Sequence, residues 1–192
     1  IFLRGRCRYC KAPYSPRYLM VELLTGILFA LCGIYYLPGL KIALVFFFVA
    51  CLIVQAFVDL DYQILLDEIL MLMLPTGIIY AYYALPDMWD ALYGALFAGG
   101  LMLLIFLLSR GGMGAGDVKL SFVLGVWLGL KASIVCLMLA FILGGVIGVL
   151  LLVTGIKQRK DPIPFGPFLC TGAYIALLFS PYLIYFYWSL FV

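Results

Sequence analysis

Two aspartates stand where paired carboxylates could do chemistry. Asp59 closes an apolar run, and Asp117 opens another directly after Gly114-Ala115-Gly116. Only nine acidic residues occur among 192, and histidine is absent, so proton transfer falls to carboxylates, tyrosines or lysines. Two carboxyls held close together do not both ionise readily: one keeps a proton while the other activates water. The chemistry is hydrolysis by a paired acid and base. Gly114 and Gly116 suit it, because residues without Cβ let the backbone bend tightly and approach a peptide. Asp117 beside a helix N-terminus, where the dipole favours negative charge, is the candidate base, and the reverse order stays open. The simpler alternative makes both aspartates interfacial helix caps.

The elements that must position these residues are membrane helices. Hydrophobic residues make up 67% of the chain and charged residues 11%, with a mean hydropathy of +1.22. Soluble domains carry about a quarter charged residues, so a large soluble catalytic domain is excluded. The run from Ile42 to Val58 is apolar on every side, unlike the alternating strands of an outer-membrane barrel. The expected fold is an all-α, polytopic transmembrane bundle of about seven spans in contact with the lipid bilayer. The runs are Leu19 to Leu37, Ile42 to Val58, Glu68 to Leu85, Ala91 to Leu108, Val118 to Leu130, Ala132 to Thr154, and Phe168 to Leu190. The fifth is short for a full span.

Sidedness follows from lysine and arginine. Ten of the twelve fall in alternate loops on one side: Arg4, Arg6, Arg8, Lys11, Arg17, Arg110, Lys119, Lys157, Arg159 and Lys160. Only Lys41 and Lys131 fall on the other, which assigns the first group, with Asp59 and Asp117, to the cytoplasm. The net charge of +3 is dispersed rather than gathered into the stripe that nucleic acid requires, so a nucleic-acid partner is not expected.

The remaining candidates have simpler readings. Asp61, Asp67 and Glu68 suit loop charges at the water interface, while Asp87 and Asp90, on the opposite side, suit solvated turns. Lys119 could hold a substrate carboxylate or tune Asp117, although a lysine snorkelling to the interface explains it more simply. Pro164-Phe165-Gly166-Pro167 cannot form regular helix and suggests an irregular peptide-binding edge. Tyr35, Tyr36, Trp89 and Trp127 suit interface anchors, and Gly144, Gly145 and Gly148 suit close helix packing. Cys32, Cys51, Cys136 and Cys170 suit small buried hydrophobes.

Together these residues resemble the bacterial type IV prepilin peptidases, membrane aspartyl proteases of the GxGD class. Gly114-Ala115-Gly116-Asp117-Val118-Lys119-Leu120 is similar to the family's GxGD-(V/F)-K-L motif. The stretch from Val58 to Asp67 is similar to its other aspartate motif, in which Asp-x-Asp precedes Leu-Pro-Asp. Leu66 replaces the proline of that motif, a departure that bears on the loop's shape more than its chemistry. Leu3 to Cys10, continuing through Ser15-Pro16-Arg17-Tyr18 to Glu22, resembles the end of the family's cytoplasmic domain. Ile163 to Phe168 resembles the segment before its last span.

The resemblance implies Asp59 and Asp117 as catalytic residues, with Gly114, Gly116, Asp61, Asp67, Lys119, Pro164 and Gly166 supporting the motifs and substrate loop. It implies prepilin or pseudopilin substrates, cleaved without a cofactor at the cytoplasmic face of the bacterial inner membrane. Residues 1–18 would end a cytoplasmic Cys-x-x-Cys segment and residues 19–192 would form the peptidase bundle. The family pattern has a further N-terminal span, giving eight in a full-length parent. It also has an earlier Cys-x-x-Cys, so Cys7 and Cys10 would be half of a structural zinc site, which needs four ligands. Methylation of the new N-terminus with S-adenosylmethionine is implied for that parent only. Two other classes stay in view: a proton-coupled transporter, which would place carboxylates near mid-bilayer, and a non-catalytic scaffold, which would tolerate substitution of both aspartates.

Overall fold

The computed structural model describes residues 10, 15–109, 112–155 and 163–189, with side chains described as far as 185. Cys7, Arg4, Arg6, Arg8, Lys11, Arg110, Lys157, Arg159 and Lys160 lie outside the described residues. The helices are α1 (Pro16–Tyr35), α2 (Leu40–Tyr62), α3 (Asp67–Ala84), α4 (Met88–Leu108), α5 (Ala115–Val153) and α6 (Gly166–Ser189). No strand occurs among the described residues. The chain is a multi-pass helical membrane protein: five helices are long and apolar enough to cross a bilayer.

That number is lower than the seven runs in the sequence, for two physical reasons. Helix α3, opening on Asp67-Glu68 and carrying Pro75, is not among the five. Helix α5 joins the fifth and sixth runs, but Gly129 inside it has φ 71° and ψ 179°, which no helix contains. The chain doubles back there. Asp117 and Phe141 would be about 36 Å apart along an unbroken helix rising about 1.5 Å per residue. Yet Phe165 packs in a tilted arrangement against Phe141 with ring centroids 5.4 Å apart, and it lines the same cleft as Asp117. Helix α5 is therefore two antiparallel arms.

Two side chains hold the break. The Leu130 N–H donates to Asp90 Oδ1 at 3.2 Å, and Ser133 Oγ donates to the Gly129 carbonyl at 2.6 Å. Asp90 is half-buried, so it is a staple for the hairpin rather than the solvated turn residue expected. The first arm then packs along α4 at van der Waals limit, where a Cβ on Gly94 would stand 2.5 Å from the Gly125 carbonyl oxygen. Close packing between those two helices thus centres on Gly94 and Gly125. Gly144 does meet Phe165 and Phe168, but a Cβ on Gly145 would meet open space.

The centre of the bundle is Trp127, which corrects its reading as an interface anchor. It is fully buried, stacks on Phe48 at 4.4 Å and Tyr80 at 5.0 Å, and donates Nε1–H to the Met73 carbonyl at 2.8 Å. A buried indole N–H usually finds such a partner, since leaving it unpaired costs free energy. Through it α2, α3 and α5 are locked together. Tyr36 is half-buried and its hydroxyl lies 3.3 Å from those of Tyr80 and from the Leu177 carbonyl, so it too belongs to the interior. Tyr35 and Trp89 are exposed, as anchors would be, and Cys32, Cys51, Cys136 and Cys170 are buried free thiols.

Candidate active site

Three helix ends meet at a cleft of about 380 Å³. Its lining includes Asp59 and Gln63 from α2, Gly114 and Asp117 from the start of α5, and Ile163-Pro164-Phe165 before α6. Asp59 and Asp117 are both buried, at 5% and 8% exposure, although both are charged residue types. They are therefore the two buried carboxylates among the described residues, and they open into one cavity.

Each carboxylate is seated by backbone. Asp59 lies in the last turn of α2, which ends when Gln63 turns left-handed at φ 55° and donates its N–H to the Asp59 carbonyl. A non-glycine residue in that conformation is uncommon, and such residues collect at functional sites. The Asp59 side chain accepts at Oδ2 from the Gly166 N–H at 2.9 Å. Gly166 is the first residue of α6, and a Cβ there would stand 2.6 Å from that oxygen. Asp117 is the third residue of α5, and its Oδ2 stands 3.6 Å from where a Cβ on Gly114 would be. Both carboxylates therefore face helix N-termini. A helix dipole does not single out Asp117 as the base.

The other expected residues divide between cleft and periphery. Gly114 and Pro164 line the cleft. Gly116 lies beneath it, packed against Leu65. Residues 163–165 are irregular as expected, but helix resumes at Gly166 with Pro167 in its first turn, where a proline's missing N–H costs nothing. Asp61 points away: it is exposed and gripped by both Arg17 nitrogens, at 2.9 and 2.5 Å, with the guanidinium 5.4 Å over the Phe57 ring. Asp67 and Lys119 form an exposed ion pair at 2.7 Å. They line a separate apolar groove of about 560 Å³ between α3, α4 and α5. Lys119 is thus paired away from the dyad. Cys10 is an exposed free thiol, and no group of three metal-ligating side chains occurs among the described residues.

Besides the two aspartates, Gln55, Ser121 and Ser133 are buried polar residues among those described, and Gln55 adjoins the Asp59 turn. Gln55 sits inside the run treated as apolar on every side, one turn before Asp59, and is fully buried. Its side chain donates Nε2–H to the Leu66 carbonyl and accepts the Leu66 N–H, both at 2.9 Å. The signal was present: a lone amide in a span of apolar residues must find partners.

Comparison with known proteins agrees with this geometry. The model of the type IV leader peptidase family matches residues 46–149, which include both aspartates, and a bacterial peptidase A24 N-terminal domain matches residues 1–36. A prepilin leader peptidase/N-methyltransferase of Aeromonas hydrophila is 36% identical over 94% of this chain and 64% of its own length. The protein of that name in Bacillus subtilis is 32% identical over 97% of this chain and 76% of its own length. That in Legionella pneumophila is 35% identical over 97% and 67%. This chain thus spans about two thirds of the length of the curated relatives it matches. No solved structure matches it significantly. A family model covering more than half the chain, with both buried aspartates inside the match, leaves one assignment: the chain belongs to the type IV leader peptidase family.

Proposed function

We propose that this chain carries the aspartyl endopeptidase centre of an enzyme that removes the leader from type IV prepilins or type II secretion pseudopilins. The observation that carries the reading is the cleft itself: two buried carboxylates, on different helices, open into one cavity of peptide-backbone size. In the reaction one carboxylate takes a proton from a water, whose oxygen attacks the scissile carbonyl. The other carboxyl supplies its proton to the carbonyl oxygen, and collapse of the tetrahedral intermediate expels the amine with a proton from the dyad. The Gly166 N–H holds Asp59 Oδ2 and so fixes the orientation of that carboxylate throughout. The irregular backbone of residues 163–165 offers an edge along which an extended leader can lie.

The lysine and arginine distribution supports a cytoplasm-facing cleft in the bacterial inner membrane. A substrate whose apolar helix lies in the bilayer would present its leader junction at this edge. The relatives' names include N-methyltransferase, and methyl transfer from S-adenosylmethionine is proposed for the full-length parent only. Cys7 and Cys10 would contribute two thiolates to a structural zinc. A closed tetrahedral site needs two more than this Cys-x-x-Cys supplies, so no catalytic step is assigned to it. The test is prepilin cleavage in membranes: Asp59→Asn and Asp117→Asn each abolish it while expression persists. Full activity in either variant overturns the dyad.

A further inference from the structure

The loop between Asp59 and α3 reaches into the site from below. Its Leu65 side chain lies against the N-termini of both α5 and α6. A Cβ on Gly116, one residue before Asp117, would stand 3.1 Å from Leu65 Cβ. A Cβ on Gly166, the Asp59 donor, would stand 3.2 Å from Leu65 Cδ2. The spacing of the α5 and α6 N-termini therefore depends on where the backbone of residues 63–66 lies. That backbone is held at one end by the Gln63 N–H on the Asp59 carbonyl. At the other end Gln55 takes both backbone groups of Leu66, each at 2.9 Å, from a fully buried position.

We infer that Gln55 is a positioning residue of this site: by clamping Leu66 it holds Leu65 as the wedge that sets the separation of the α5 N-terminus, which bears Asp117, and the α6 N-terminus, which holds Asp59. The clamp also accounts for Leu66 standing where the similar motif has proline. Leu66 has φ −78°, a value proline adopts, but proline has no N–H to donate. With proline the ring restrains the loop. With leucine the restraint comes from α2, through an amide that fits one donor and one acceptor at once. Gln55 lines no part of the cleft, so it acts through Leu65 and not on substrate.

The inference rests on the peptidase reading, and its test separates the two. Full-length protein is reconstituted in proteoliposomes and assayed with a prepilin, and backbone amide exchange is followed in residues 63–67. Gln55→Met keeps the volume and removes both bonds. The expected result is a kcat lower by about 10- to 100-fold, from misplacement of reacting groups, with KM within about twofold. Exchange at the Leu66 amide rises at least about tenfold as the opened clamp exposes it. Gln55→Glu discriminates a specific clamp from general packing. Its protonated carboxyl has one donor and one acceptor, like the amide, whereas its ionised form has acceptors only. Its activity relative to wild type therefore rises as pH falls from about 8 to about 5, across the range where a buried glutamate gains its proton. The Gln55→Met ratio stays flat over that range. Wild-type kcat in Gln55→Met, or a flat ratio in Gln55→Glu, overturns the positioning role. Unchanged exchange in Gln55→Met overturns the clamp whether or not the protein cleaves prepilin; a wild-type protein that does not cleave refutes the peptidase reading alone.

Discussion

The two ends of the bundle use the same device for different purposes. At one end Asp59 accepts a backbone N–H from Gly166; at the other Asp90 accepts one from Leu130. In both places a Cβ on a neighbouring glycine, Gly166 or Gly129, would collide with the carboxylate. Locally the two look alike. The difference lies in what else faces the oxygen atoms. Asp59 opens into a cleft shared with a second buried carboxylate, whereas Asp90 closes over the break in α5. A seated carboxylate is therefore a structural part until geometry supplies a partner and room for water and substrate.

That contrast can be broken from either side. The largest effect is expected at the dyad, where Asp59→Asn or Asp117→Asn lowers prepilin cleavage at least about 1000-fold at unchanged expression. Next comes Gly166→Ala. Its methyl group displaces the Asp59 carboxylate, and cleavage falls about 10- to 100-fold while thermal unfolding stays close to wild type. At the opposite end the readouts reverse. Gly129→Ala forces a side chain into positive φ and against Asp90, which costs about 1–3 kcal/mol of stability in unfolding experiments. Activity per folded molecule stays within about twofold. Loss of catalysis without loss of stability in Gly129→Ala would erase the distinction between the ends. The smallest effects belong to the exposed ion pairs. Arg17→Gln and Lys119→Gln change cleavage by less than about threefold, because solvent-exposed pairs contribute little.

Much of this was legible in order along the chain. Composition made the protein a helical membrane protein, and each of the six described helices overlaps an apolar run, with α5 joining two of them. The two aspartates stood out because acids are scarce and because one follows a glycine frame. Periodicity could not show that Gln55 would close on Leu66, since the partner groups are backbone and carry no side-chain signature. Nor could it separate Asp61 from Asp59, two residues apart: only the docking of α1 shows that Arg17 takes Asp61. Trp127 is interior rather than interfacial for a related reason. Tryptophan is amphipathic and suits an interface until a bundle supplies a buried carbonyl, here that of Met73, for its N–H.

The sequence by itself determined that this chain enters a membrane as helices and which carboxylates could do chemistry, because hydrophobic transfer and charge scarcity are properties of residue type. Tertiary structure alone decided which acids share a cavity, which are tied off by arginine or lysine, and where the long fifth helix folds back. Those outcomes depend on contacts between residues far apart in the chain, such as Gly166 on Asp59 and Leu130 on Asp90. Side-chain identity allows such bonds; only packing brings donor and acceptor within reach of each other.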